Sequence, residues 1–173
     1  MRNKSIFAVT LCVMMFFLVG GCKKSEDTQM SPTGALLEYN GCKQFLQTTA
    51  TEPFAPSAEN DCIEFSYDGE STLTLKHINA GFNCCPGEIT ATIDIGSNRI
   101  IIKENENEQG CDCLCLFDVQ YEIISLPPGQ YTIKIIELYL DESDEPIEVE
   151  VDFRETPSGI FCFDRDHYPW SVI

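Results

Sequence analysis

The stretch Glu88–Ile95, which reads EITATIDI, decides the fold class of this chain. Its apolar residues occupy every second position, at Ile89, Ala91, Ile93 and Ile95, and polar residues fill the positions between them. A period of two is typical of a β-strand with one face toward a core. No segment of the chain shows a sustained helical period, and the sequence therefore predicts an all-β protein.

Outward from this stretch, six further segments have strand character and are separated by turn signals. They are Cys62–Tyr67, Ser71–Cys84, Arg99–Glu104, Cys111–Ile124, Gln130–Leu140 and Ile147–Phe153. Seven short alternating strands predict a two-sheet β-sandwich. In the fifth strand, a core-facing row is expected at Phe117, Val119, Tyr121 and Ile123. In the second, Phe82 falls out of phase with Leu73 and Leu75, and we expect a bulge near Gly81.

One turn adds detail to this prediction. The run Leu126-Pro127-Pro128-Gly129-Gln130-Tyr131 resembles the corner that leads into the sixth strand of immunoglobulin-like domains. The resemblance implies a seven-stranded immunoglobulin-like sandwich over about 61–153. It implies nothing about function, because this fold has many functions.

The N-terminus has the pattern of a secretory signal. Arg2 and Lys4 precede the apolar run Ile6–Val19, which is short for a bilayer span. The run ends in Val19-Gly20-Gly21-Cys22, which resembles a bacterial lipobox and the start of small Bacteroidota lipoproteins. The resemblance implies cleavage before Cys22, fatty acylation (palmitate) of that cysteine, and attachment to the cell envelope, at the periplasmic or the surface side of the outer membrane. An ordinary secretory signal and a transmembrane anchor are the alternatives.

Three regions follow from these patterns. We expect a signal peptide at 1–21, a lipidated tether with an irregular segment at 22–60, and the sandwich with a C-terminal tail at 61–173. Within the second region, Leu36–Leu46 is compatible with a short strand or one helical turn. The formal net charge of −17 argues against nucleic acid and anionic lipid surfaces as ligands.

Eight of the ten cysteines follow Cys22, and in an oxidising compartment they predict disulfides. The candidates are Cys42, Cys62, Cys84, Cys85, Cys111, Cys113, Cys115 and Cys162. If the second and fifth strands are antiparallel neighbours, the Cys84-Cys85 pair lies near the CxCxC run, and at least one bridge should join the two. Alternatively, one cysteine of the pair reaches Cys42 or Cys162.

Two other interpretations of the cysteine cluster stay open. One is a redox-active thiol pair, although no CxxC motif supports it. The other is a metal site. Its ligands would be Cys84, Cys85, Cys111, Cys113, Cys115 and His77. His77 otherwise continues the inward face of the second strand and is expected in the core.

The remaining polar motifs have plain explanations. Glu104, Glu106 and Glu108 are expected in a solvated loop, and Asp141–Glu145 at a hairpin tip rather than in a calcium loop. His167 stands among acidic residues, but no nucleophile accompanies it in a catalytic pattern. The sequence therefore predicts a protein that is not an enzyme and needs no cofactor.

We expect a lipid-anchored envelope domain with a binding or structural role. Its partner would be an envelope protein or a glycan, held by loops at one end of the sandwich or by Tyr168 and Trp170 in the tail. Alternatives are a metal-binding lipoprotein that uses the Cys84–Cys115 cluster and an inhibitor of an extracellular hydrolase. In the second case the loop Phe82–Glu88 would be the inhibitory segment.

Overall fold

The computed structural model describes residues 30–43 and 56–166. Over these residues it is all-β, with nine strands in two sheets and no helix. The strands are β1 (Thr33–Tyr39), β2 (Asn60–Tyr67), β3 (Leu73–Asn83), β4 (Ile89–Ile95), β5 (Arg99–Glu106), β6 (Leu114–Ile124), β7 (Gln130–Ile136), β8 (Glu148–Asp152) and β9 (Ser158–Asp164). The all-β class is confirmed.

The sheets are a five-stranded sheet in the order β1-β6-β3-β2-β9 and a four-stranded sheet in the order β4-β5-β7-β8. The predicted strands correspond to β2–β8, and the second and fifth, now β3 and β6, are antiparallel neighbours as expected. The strand count of seven was too low. It did not include β1, which overlaps the segment Leu36–Leu46 that was left open as a strand or a helical turn, and β9, which follows the last predicted strand.

The strand order also departs from the usual immunoglobulin arrangement. There the third and sixth of seven strands are neighbours, whereas here β5 lies between β4 and β7 and pairs with β7 in parallel. Every other pairing in the two sheets is antiparallel.

The core lies between the sheets and includes the inward row predicted for β6. Phe117, Val119, Tyr121 and Ile123 of β6 are all buried, as are Ile100 and Ile102 of β5 in the opposite sheet. Burial of each large apolar side chain stabilises the fold by roughly 1.5–3 kcal/mol.

The irregularity in β3 lies at Asn79, not at Gly81. The pairing with β6 shifts register between Ile78 and Ala80, and Asn79 has a φ of 71°. Asparagine tolerates this left-handed conformation better than most residues. Its side-chain amide donates to the Ser57 and Asn60 carbonyls at 2.8 and 2.6 Å. Because of this bulge, the side chain of Phe82 lies on the inward face of β3.

The corner before β7 has the hydrogen bond typical of a tyrosine corner. The Tyr131 hydroxyl donates to the Pro127 carbonyl, four residues upstream, at 2.9 Å. The local conformation inferred from the Leu126–Tyr131 run is therefore present, although the sheet order around it differs.

The two ends of the sandwich are called the cysteine pole and the far pole. The cysteine pole is the end where β3, β5, β7 and β9 finish and where β2 and β6 begin, and the far pole is the opposite end. β1 starts at the far pole, because Thr33 pairs with Ile124 at the end of β6.

Candidate functional site

All eight cysteines of the described residues are paired at the cysteine pole. The bridges are Cys42–Cys115, Cys62–Cys162, Cys84–Cys113 and Cys85–Cys111. Two of them join the Cys84-Cys85 pair to the CxCxC run, as the antiparallel pairing of β3 and β6 predicts. The alternative route from that pair to Cys42 or Cys162 is not the one adopted.

The CxCxC run does not form one row in the core. β6 begins at Leu114, so Cys111 and Cys113 precede the strand, and only Cys115 is buried in it. The sequence-based prediction extended the alternation of β6 too far toward the N-terminus. With every sulfur in a bridge, the cluster offers no thiolate to a metal, and the metal site expected from these cysteines and His77 is not assembled.

A second group of residues at this pole was not expected. Asp61, His77, Glu104, Glu137 and Arg165 meet between the two sheets, and each side chain is at most 2% exposed. We call these five residues the buried ionic cluster. They come from β2, β3, β5, the segment after β7 and the segment after β9.

His77 is the centre of the cluster. Its Nδ1 lies 2.7 Å from Glu104 Oε1 and its Nε2 lies 2.7 Å from Asp61 Oδ1. Burial alone would lower the pKa of His77, but the charges of Glu104 and Asp61 outweigh it and raise that pKa well above its usual value. The ring is therefore an imidazolium that donates to both carboxylates.

Arg165 holds the other oxygen atoms of two carboxylates. Its guanidinium donates to Asp61 Oδ2 through Nε, at 3.0 Å, and through a second nitrogen, which also lies 3.2 Å from Glu137 Oε2. Burial opposes ionisation of Asp61, but His77 and Arg165 outweigh it and lower the pKa of this carboxyl. Burial and the neighbouring charge of Asp61 raise the pKa of Glu137 to about 8.

Two carboxylate oxygens in the cluster are buried and have no hydrogen-bond partner: Glu104 Oε2 and Glu137 Oε1. The other oxygen of Glu104 accepts from the Tyr121 hydroxyl at 2.6 Å as well as from His77. Glu137 Oε1 lies 3.9 Å from His77 Nε2. Asp61, His77 and Glu137 each turn one ligand atom toward a common space, with these atoms within 4.8 Å of one another.

A smaller polar network continues from the cluster toward the cysteines. Glu106 accepts from the Asn83 backbone N–H at 2.9 Å and from the Tyr139 hydroxyl, and Asn83 donates through its side chain to the Cys111 carbonyl at 2.6 Å. Burial and the bond to Glu106 raise the pKa of Tyr139 to about 12. The prediction of a solvated loop was therefore wrong for Glu104 and Glu106, which lie in β5, and only Glu108 is exposed.

A signal for the cluster is present in the sequence. Asp61 continues the inward row of Ile63 and Phe65, and Glu104 continues that of Ile100 and Ile102. His77 and Glu137 extend the rows of β3 and β7 in the same way. These positions can be predicted if each inward row is continued beyond its last apolar residue. Their proximity to one another cannot be predicted in this way.

The loop Phe82–Glu88, considered above as an inhibitory segment, is buried at its start and exposed further on. Phe82 and Asn83 are buried at the end of β3, whereas Cys85, Gly87 and Glu88 are exposed. The loop is bonded to the segment before β6, through Glu108 N to the Pro86 carbonyl and Gly110 N to the Cys85 carbonyl. Two bridges join it to the same segment.

The acidic run after β7 forms a loop held by its own side chains. Asp141 accepts from the Ser143 backbone N–H at 2.9 Å, and Glu142 and Glu145 are exposed. Cys22 and the tail residues His167, Tyr168 and Trp170 lie outside the described residues.

The described residues contain no helix long and apolar enough to cross a membrane. Comparison with protein-family models, with curated proteins and with solved structures finds no match. The class of the protein therefore follows from the structure alone: a disulfide-rich, two-sheet β domain with a buried ionic cluster at its cysteine pole.

Proposed function

We propose that this chain is a lipid-anchored domain of the cell envelope, with a binding or structural role and no enzymatic activity. The pairing of the cysteines is the observation that carries the proposal. Four disulfides suit an oxidising compartment. They use all eight cysteines of residues 30–43 and 56–166, and Cys22, which precedes these ranges, is the cysteine that follows the signal-like apolar run.

The geometry supports an orientation relative to the membrane. Ten residues lie between Cys22 and Thr33, and the eleven Cα–Cα steps of a fully extended chain span at most about 40 Å. Since β1 starts at the far pole, the tether from a lipid on Cys22 joins the domain at that pole. The cysteine pole is the end opposite to the attachment point and is available to partners.

The cysteine pole is suited to binding because its loops are covalently fixed. A loop that is already ordered loses little conformational entropy when a partner binds. The loops held by bridges present the exposed acidic side chains of Glu88, Glu108 and Asp112, and the loop after β7 at the same pole adds those of Glu142 and Glu145. An envelope protein with a cationic surface fits this pole best, and a glycan is the second candidate.

The anchor is tested by Cys22→Ser in the full chain, with Cys12→Ser as the matched control. We expect the wild type and the control in the membrane fraction with an acyl mass on the N-terminal cysteine. Cys22→Ser should lose that mass and leave the membrane fraction or keep its signal. Unchanged fractionation and mass in Cys22→Ser would contradict the anchor.

The binding role is tested by placing a photoreactive amino acid at Asp112, at the cysteine pole, and at Ser97, at the far pole, in cells that make the protein. We expect a specific cross-linked species from position 112 only. Equal cross-linking from both positions, or none from position 112, would contradict a binding role of this pole.

A further inference from the structure

We propose that the buried ionic cluster is a zinc site with Asp61, His77 and Glu137 as its ligands. This inference does not depend on the lipid anchor or on a partner. It concerns carboxylates and one imidazole, and is separate from the cysteine cluster, whose sulfurs are all in bridges.

The donor atoms already converge. Asp61, His77 and Glu137 each offer one ligand atom within 4.8 Å of the others, and their side chains are at most 2% exposed. His77 Nε2 lies 2.7 Å from Asp61 Oδ1 and 3.9 Å from Glu137 Oε1. Zinc binds imidazole nitrogen at about 2.0–2.1 Å and carboxylate oxygen at about 2.0–2.2 Å. Donors that surround one ion at these distances must lie a few ångströms apart. Zinc would take the place of the hydrogen bond between His77 and Asp61.

An independent observation points to a ligand. Glu137 Oε1 is buried, has no hydrogen-bond partner and faces His77 Nε2 at 3.9 Å. A buried polar atom without a partner costs about 1–3 kcal/mol, more if charged. Coordination of a cation by this oxygen removes that cost.

The groups around the donors form the second layer expected of a metal site. Glu104 accepts at His77 Nδ1, so that Nε2 faces inward, and Tyr121 holds Glu104 in turn. Arg165 holds Oδ2 of Asp61 and Oε2 of Glu137, which leaves the other oxygen of each turned toward His77. A histidine ligand almost always donates its other ring N–H to a carboxylate, a backbone carbonyl or water, and here the partner is a carboxylate.

The charges also match a divalent cation. Zinc would take the place of two protons, one on His77 Nε2 and one on Glu137, because metal ligands are deprotonated. The ion brings two positive charges and displaces two, so the net charge is unchanged within a volume closed to solvent, where an unbalanced charge is costly.

Burial defines the role of the ion. With three protein ligands, the fourth tetrahedral position of the zinc would be left to a water molecule. Because the ligand side chains are closed to solvent, the zinc would connect β2, β3 and the segment after β7 rather than activate a substrate. It would enter while the sandwich is open, so binding is coupled to folding.

The test uses the full-length chain in detergent, unfolded in denaturant with its disulfides intact and refolded with zinc or with EDTA. We expect one zinc per chain by elemental analysis and a higher melting temperature in zinc than in EDTA. Glu137→Gln, which keeps the shape of the side chain, should bind no zinc and melt at the same temperature in both. Glu150→Gln, an exposed control on β8, should behave as the wild type.

The coordination shell is measured by X-ray absorption on the wild type. A shell of oxygen and nitrogen with one imidazole and no sulfur is expected. The proposal is overturned if the refolded wild type holds no zinc, if Glu137→Gln binds as much as the wild type, or if sulfur ligands appear. If Glu137→Gln does not fold, the wild-type stoichiometry and shell decide alone.

Discussion

At the residue scale, Asp61, His77 and Glu104 occupy inward positions that apolar side chains fill elsewhere on the same strands. Removing these groups from water is costly, and their mutual attraction has to offset that cost. They are tolerated because each ring nitrogen and each charge has a partner at hydrogen-bond distance. Such a cluster depends on every member being present.

Removal of the buried Arg165 guanidinium should therefore destabilise the protein strongly. Arg165→Met keeps much of the side-chain volume but leaves Asp61 and Glu137 without their guanidinium partner. We expect a loss of about 3–5 kcal/mol in the free energy of unfolding, measured by denaturant titration. Arg154→Met is the control, because Arg154 pairs with Asp152 at the surface and should change stability by less than about 0.5 kcal/mol. Equal effects of the two variants would show that the cluster does not hold the pole.

Stability should also fall as the pH rises in zinc-free protein. Glu137 keeps its proton in the folded state up to a pKa of about 8, against 4.5 for an ordinary glutamic acid, so stability is lost across this window. His77 has a folded pKa raised well above 6.5, so its contribution is present below 6.5 and is lost at higher pH. The lowered pKa of Asp61 has its effect at low pH, where stability falls as the pH drops through that pKa.

The melting temperature in EDTA, followed from pH 5 to pH 9, tests this expectation. It should decline over the range, and Glu137→Gln, which has no proton to lose at that position, should decline less. A flat profile, or a wild type that gains stability toward pH 9, would contradict the assigned charges.

At the scale of the elements, alternation predicted most of the strands. β4 and β8 follow their patterns almost residue by residue. β1 was left open between a strand and a helical turn, and β9 was not predicted, because both are edge strands with little burial and no clear alternation is imposed on them. β6 starts later than predicted because the bridges at Cys111 and Cys113 hold the preceding chain outside the ladder.

The tyrosine corner gives a prediction for a single element. Tyr131→Phe removes the hydroxyl bond to the Pro127 carbonyl and leaves the ring in place. We expect a loss of about 1 kcal/mol in the free energy of unfolding. Tyr39→Phe, on the exposed side of β1, should cost close to nothing. A neutral Tyr131→Phe would mean that the corner is held by packing alone.

At the scale of the whole molecule, sequence patterns predicted two sheets but not their order. The position of β5 between β4 and β7 depends on how the sheets pack, and local periodicity carries no information on it. The buried ionic cluster has the same origin. Each member lies on a predicted inward row, but their meeting depends on the pairing of four strands and the path after β9.

The four bridges should not contribute equally. Cys62–Cys162 closes 100 residues and ties β9 to β2, whereas Cys85–Cys111 closes 26. In the chain-entropy model, these loops correspond to about 4.7 and about 3.5 kcal/mol. Cys62→Ala with Cys162→Ala should therefore lower the free energy of unfolding more than Cys85→Ala with Cys111→Ala. The reverse order would contradict the pairing or the entropic account of it.

The central claim is a mature chain that begins at a lipidated Cys22 and carries four bridges. It is tested most directly by the intact mass of the mature protein, with thiols alkylated before and after reduction. We predict a chain cut before Cys22 that carries acyl groups, with no alkylation before reduction and eight alkylated cysteines after it. A chain that begins elsewhere, an unmodified Cys22, or cysteines that react without reduction would contradict the claim.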